Sequence, residues 1–371
     1  MKVNTLRMWM KKEPVLCISA LCAAATMLLV PPSRAYAGYI DVRVLCLLFC
    51  LMAVVAGFQS CGTFDALASV LLKRCQNARA LGLVPVLLPF FCSMMITNDV
   101  ALITFVPFTL LLTASLNLGS RVIPLLVLQT IAANLGSMAT PVGNPQNLYL
   151  YTAYNLTAGD FFKTLLPFTA FSLAVLSAGA WFCLPSDLKP AKTDTAVLKE
   201  KRSFGVYCIL FICCLMTVFR ILPYQWLMAG IVIILLFLKP QLLKAPDYGL
   251  LATFVCFFII SGNLSEMEAL QKGMEILLAK NSVMTSAAAS QVISNVPAAV
   301  LLSGFTKDWE GLLIGTNLGG LGTLVASLAS LITLKYYMSE KNAQVARYIL
   351  WFTVMNFAML AVMLILTGIL I

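Results

Sequence analysis

The sequence predicts an all-α polytopic membrane protein: about nine transmembrane helices plus two re-entrant hairpins, in two inverted repeats. Three observations predict it. Hydrophobic residues make up 61% of the 371 and charged residues only 11%, too few to cover a soluble protein of that length. Charge-free windows close to the ~17–25 residues of a membrane-crossing helix recur at 164–186, 203–219, 221–238, 248–265 and 348–371. Two short motifs of the first half also return, in the same order, in the second.

The elements follow in order. After a basic start (Lys2, Arg7, Lys11, Lys12), an apolar helix 14–30 leads outward and 40–58 returns. Ala35-Tyr36-Ala37 resembles a signal-peptidase site, but in a polytopic chain a retained first helix is the expectation. An amphipathic cytoplasmic stretch, 62–80, comes next. The apolar segment 82–118 carries a single charge, Asp99, and is bracketed by Arg79 and Arg121. Two basic flanks put both its ends on the cytoplasmic side, so it is a hairpin with Thr97-Asn98-Asp99 at its turn. The next span, 122–153, is too long for one helix. Pro141, Gly143 and Pro145 break it within 134–147. Span 163–184 comes back.

The polar linker 185–203, with Pro185, Pro190 and mixed charges, divides a first repeat, 1–184, from a second, 204–371. The second half runs 204–222 out, 225–238 in and 248–264 out. An external amphipathic stretch with Glu266, Glu268, Lys272 and Glu275 follows. A second hairpin, 282–305, opens to the outside, span 311–334 returns with a break near 319–323, and 348–371 leaves. Most of the 25 Lys and Arg then fall inside, which predicts a cytoplasmic membrane protein with its N-terminus in the cytoplasm and its C-terminus outside. The net charge of +10 is thereby a topology signal, and no nucleic-acid partner is expected; the partner is the lipid bilayer.

The halves align through "ITNDVAL" (96–102) with "ISNVPAA" (293–299), and "NLGSMATPVGN" (134–144) with "NLGGLGTLVAS" (317–327). The first series starts inward and the second outward, so the repeats are inverted. Interrupted helices at matching positions of inverted repeats point to a secondary transporter with its site at the midplane. The candidate substrate- and ion-binding residues are Thr97, Asn98 and Asp99 at the first tip and Ser294 and Asn295 at the second. The breaks add Thr140, Pro141, Gly143, Asn144 and Asn147 in one half, and Thr316, Asn317, Thr323 and Ser327 in the other. Half-helix N-termini there suit an anion, and unwound carbonyls suit a hard cation. Small hydroxyl residues also serve as packing between helices, so single Ser and Thr positions are the least specific.

Asp99 differs from the rest. A carboxylate at bilayer depth costs about 2.5–3.5 kcal/mol on insertion scales unless something pairs with it, and no Lys or Arg lies nearby in sequence. It is expected to hold a cation or carry a proton, with Na⁺ assigned to Thr97, Asn98 and Asp99. Capping a half-helix is its structural alternative. The second tip has Val296 in the same place.

The 12 cysteines form no CxxC pair and lie mostly in apolar runs; with no histidine, zinc and haem are not expected. No cofactor is expected beyond Na⁺ or H⁺ as the coupling ion. There is no P-loop for ATP-driven transport and no second buried acid or His for an intramembrane enzyme, so enzymatic activity is not expected.

"SMMITNDVALITFVP", "GSMATPVGNPQNL" and "ISNVP…TNLGGLGTLVASLASL" resemble the ion transporter superfamily. The closer resemblance is to citrate-transporter-like permeases related to the divalent-anion/sodium symporters and arsenite-efflux permeases. It implies an elevator-type transporter, usually a homodimer, with a scaffold and a moving domain that carries both hairpins. In the symporters each tip bears Ser-Asn-Thr, which binds sodium and the substrate carboxylate. Thr97-Asn98-Asp99 and Ser294-Asn295-Val296 occupy those places and depart from them at the third residue. The reading is a secondary transporter of a small anion, a di- or tricarboxylate or an inorganic oxyanion, coupled to Na⁺ or H⁺. The alternative is a cation/proton antiporter that uses Asp99.

Overall fold

The structure, a computed structural model, describes residues 14–34, 36–74, 78–115, 121–183, 200–340 and 343–370. Every regular element among them is a helix. The first half comprises α1 (Pro14–Leu29), α2 (Val42–Ser60), α3 (Thr63–Arg74), α4 (Ala78–Cys92), α5 (Asn98–Ser115), α6 (Val122–Ser137), α7 (Pro145–Ala153) and α8 (Ala158–Cys183). The second comprises α9 (Lys201–Val218), α10 (Tyr224–Leu238), α11 (Tyr248–Ser265), α12 (Glu268–Lys280), α13 (Ser282–Ile293), α14 (Asn295–Ser303), α15 (Trp309–Leu318), α16 (Leu328–Met338) and α17 (Val345–Leu370).

Both expected hairpins are present. In the first, α4 and α5 meet at a tip of five residues, 93–97; in the second, α13 and α14 meet at Ser294. Both expected breaks are present too, between α6 and α7 and between α15 and α16. The residues 116–118 of the first hairpin, the N-terminal 1–13 and the linker core 184–199 lie outside the described residues.

Single long spans are α2, α8, α9, α11 and α17, all long and apolar enough to cross a membrane. By contrast α1 has 16 residues and α10 has 15, about 22–24 Å at 1.5 Å per residue and short of a ~30 Å hydrocarbon core. A short 3₁₀ turn, Pro240–Lys244, leads into α11.

Local chemistry sets the helix starts. Asp41 accepts from Val44 N–H at 3.0 Å and Asp247 from Leu250 N–H at 2.8 Å, so the same residue type caps α2 and α11. Asn144, Asn281 and Asp308 cap α7, α13 and α15 in the same manner. Pro85 and Pro89 sit inside α4 and Pro107 inside α5; neighbouring helices make such interruptions tolerable at membrane depth.

The packing is reciprocal. The first arm of each hairpin lies on the first half of its own broken helix: α4 on α6, and α13 on α15. The second arm crosses over to the other half of the chain: α5 packs on α16, and α14 on α7. The outer helices pair likewise, α1 with α11 and α10 with α2. Gly136 marks how closely α6 approaches α4, because a Cβ there would run into the Phe90 carbonyl. Apolar side chains such as Ile209, Trp226, Phe237, Leu350 and Ile365 are exposed on the outer helices, where a bilayer would cover them.

Candidate functional site

Each tip is bonded to the break of its own half, and three of the bonds recur in both halves. Asn98 N–H donates to Gly143 O at 3.3 Å, and Asn295 N–H to Ala326 O at 3.0 Å. The Asn98 side-chain oxygen accepts from Asp99 N–H at 3.0 Å, and that of Asn295 from Val296 N–H at 2.9 Å. Thr140 donates its hydroxyl to Met94 O, four residues before Asn98; Thr323 donates to Gln291 O, four before Asn295. Gly143 has to be glycine, since a Cβ would meet the Ser137 carbonyl. Pro141 lies buried in the same turn.

The amides of the breaks form a second structure between the two halves. Asn144 donates to Asn317 Oδ1 at 3.1 Å, and Ser327, the aligned residue, donates to Asn134 Oδ1 at 3.0 Å. Asn317 donates to Asn147 Oδ1 at 2.6 Å, while Asn147 Nδ2 reaches the carbonyls of Ser137, Met138 and Thr140 at 3.5, 3.4 and 3.2 Å. Asn98 Nδ2 joins by donating to Asn134 Oδ1 at 2.8 Å. All of these amides are buried. Buried amides that satisfy one another rigidify a core, so this cluster is a fastening between halves before it is a ligand cage. Thr316 belongs to neither group: its hydroxyl donates to Leu312 O at 2.8 Å, inside its own helix.

Asp99 and Thr97 point elsewhere. They line a cavity of about 220 Å³ together with Gln59 of α2, Pro145 of α7 and Asp247, the residue that caps α11. The first turns of α5, α7 and α11 all border it. Among the described residues the Asp99 carboxylate has no hydrogen bond and no ion pair; the ion pairs found there are Lys239–Glu200 at 3.9 Å and Lys272–Glu268 at 3.6 Å, both elsewhere. No Lys or Arg lines this cavity. Two larger cavities of about 430 Å³ lie among α13, α15 and α17, and between α5 and α16. Neither holds a tip or break residue, so size does not mark the site here.

The sequence reading missed three participants. Asp247 passes for a loop charge but faces the Asp99 cavity. Asn134 aligns with Asn317 in the repeat, a signal sufficient to have placed it at the centre. Gln291, an amide inside a hairpin arm, carries no sequence signal of its own.

Ser294 is strained. Its backbone, at φ 73° and ψ 154°, occupies a region essentially reserved for glycine, which costs on the order of 1–3 kcal/mol. Its hydroxyl contacts to Ala326 O and Asn295 Oδ1, at 3.3 and 3.4 Å, are long. Ser294→Gly is therefore expected to raise the thermal unfolding temperature in detergent, and Ser294→Ala to lower it slightly; a lower value for the glycine variant would refute the strain.

A family model described as citrate transporter matches residues 6–307. The chain belongs to the citrate transporter family. Within reach of this citrate transporter family member is an uncharacterized transporter of Methanocaldococcus jannaschii, 31% identical over 82% of this chain and 82% of the relative. The inner membrane protein YbiR of Escherichia coli is 28% identical over 81% of this chain and 82% of its own length. A silicon efflux transporter of Oryza sativa subsp. japonica is 33% identical over 50% of this chain and 40% of its own. Family membership and the helical architecture together make this a polytopic membrane transporter.

Proposed function

We propose that this member of the citrate transporter family is a secondary active transporter of a small anion, a di- or tricarboxylate or an inorganic oxyanion. Transport is coupled to Na⁺ or H⁺ at Asp99 by alternating access in the cytoplasmic membrane. The observation that carries the reading is the cavity itself. An unpaired carboxylate stands where three helix first turns converge, and helix N-termini favour negative charge. An anion drawn there meets Asp99, and a cation or proton on Asp99 removes that repulsion. This is the physical content of coupling. The relative named for silicon efflux supports a cargo range wider than carboxylates.

The mirrored tip-to-break bonds and the crossed packing of α5 on α16 and α14 on α7 support two inverted repeats. With the N-terminus in the cytoplasm, the cavity at the end of α2 and the start of α11 faces inward. The proposal includes the elevator-type motion and the homodimer that the resemblance implies.

One observation favours the second reading, cation/proton antiport: the cavity has two carboxylates and no basic residue. Proteoliposome uptake of labelled citrate, phosphate and arsenite under imposed Na⁺ or pH gradients separates the two. Gradient-driven anion accumulation is the expected result. Proton movement in exchange for Na⁺ with no anion uptake would replace symport by antiport.

A further inference from the structure

The second break leaves three backbone groups at membrane depth without partners in a helical ladder: the carbonyls of Gly319 and Leu321 and the N–H of Thr323. Gln291, one turn before the tip on α13, answers all three. Its Nε2 donates to Gly319 O at 3.0 Å and Leu321 O at 2.9 Å, and its Oε1 accepts from Thr323 N–H at 2.9 Å. Gly322 has φ +102°, and a Cβ there would collide with the Gln291 carboxamide. The glycine and the amide thus require each other.

The first half lacks this device. Met94 stands where Gln291 does, and only the threonine-to-carbonyl bond, Thr140 to Met94, is kept. The carbonyls of the first break are answered by Asn147, which sits on α7 of the same broken helix. The carbonyls at 137–140 are thus closed from within, and no side chain of the α4 arm of hairpin 1 reaches them; that hairpin meets the break only through Asn98 N–H on Gly143 O and the Met94 carbonyl that takes the Thr140 hydroxyl. The cavity that holds Asp99 opens at this less tightly fastened tip.

We propose that Gln291 is a positioning residue that welds the Ser294–Asn295 tip to the second break. Hairpin 2, α15 and α16 then form one preassembled half of the ligand site, and the Thr97–Asn98–Asp99 tip is the half that adjusts when ligand enters. Preorganising one wall lowers what ligand binding must order, and leaving the other mobile supplies the gate. The inference rests on the transport reading only in treating both tips as ligand groups.

Hydrogen–deuterium exchange on the full-length protein in lipid nanodiscs tests the weld without any ligand. In the wild type, amides 94–101 should exchange at least about tenfold faster than 291–298, since a few net hydrogen bonds amount to a decade or more. Gln291→Met, which copies hairpin 1, should speed 291–298 and 317–328 by about tenfold while α8 and α17 keep their rates. Gln291→Glu keeps the acceptor for Thr323 N–H and loses the donors, so it should fall between; it also serves if the methionine variant does not fold. Equal exchange at the two tips of the wild type overturns the inference. So does an unchanged hairpin 2 in the variants, or acceleration spread evenly over all helices.

Uptake of labelled citrate, phosphate and arsenite is a separate arm. Gln291→Met should raise the half-saturating concentration about tenfold with the maximal rate held within about twofold; loss of rate alone contradicts a positioning role. If no anion is taken up by the wild type, the transport reading and the ligand half of the inference fall. The exchange contrast still decides the weld.

Discussion

Asp99→Asn is expected to cut gradient-driven accumulation by at least about a hundredfold, while the variant folds as well as the wild type or better. The carboxylate lines a cavity with no Lys or Arg among its lining residues, and it makes no hydrogen bond or ion pair among the described residues. An uncompensated charge at that depth represents about 2.5–3.5 kcal/mol, about two decades in an equilibrium, available to whatever cation or proton neutralises it. Asparagine keeps the shape and abolishes that free energy, so the driving ion loses its hold on the transport step.

Stability moves the other way. Removing an unpaired charge removes its desolvation cost, but the unpaired amide that replaces it keeps part of that cost, so the net gain is on the order of 1 kcal/mol. Uptake in proteoliposomes and thermal unfolding in detergent, read on the same preparation, check both. A variant that still concentrates anion with the same ion dependence would remove Asp99 from coupling. A variant that unfolds much earlier would make it a structural cap instead. Asp247→Asn on the opposite wall is the informative companion. Asp247 is exposed and caps α11 through an oxygen that asparagine also carries, so the variant should keep the start of that helix and leave coupling largely in place.

The architecture was legible because its determinants are local and strong. Apolar run length fixes a span, and Pro141, Gly143 and Pro145 forbid a continuous helix, which matches the interruption between Ser137 and Pro145. Even the short α1 and α10 match the expected 14–30 and 225–238 to within a residue at each end, the margin within which a helix terminus is defined. The tips were also legible, since an Asn in an apolar hairpin has few bland explanations. Pairing across the molecule was not. Gln291 and Met94 occupy equivalent places with no hint in either that one holds a break and the other does not. Asp247 reaches the Asp99 cavity only through the packing of α11, at a sequence distance that no motif spans. Thr316 shows the converse: it looks like a ligand in a list of polar residues, and its helix uses it.

Asn317→Ala is expected to be among the most destabilising single changes to a polar side chain in this protein. Its amide donates to Asn147 Oδ1 at 2.6 Å and Leu313 O at 2.7 Å, and its oxygen accepts from Asn144 Nδ2 at 3.1 Å. Truncation strands Asn147 Oδ1 outright and leaves Asn144 Nδ2 with Ser137 Oγ at 3.2 Å alone. An unsatisfied buried group costs about 1–3 kcal/mol, so a loss on the order of 3 kcal/mol follows. Asn317→Asp should be worse, because a carboxylate offers only acceptors and would face Asn147 Oδ1 oxygen to oxygen. The double variant Asn147→Ala/Asn317→Ala should fall short of the sum of its parts by about 1 kcal/mol or more, the mark of groups that satisfy one another. The aligned residue Asn134 fastens differently: it accepts from Asn98 at the first tip and from Ser327 of the other half. Asn134→Ala should therefore loosen the Asp99 tip as well as the fold, and change uptake more than Asn317→Ala does at matched stability. Equal effects of the two on uptake would mean that the amide cluster is only a fastening, and that the tip does not take its position from it.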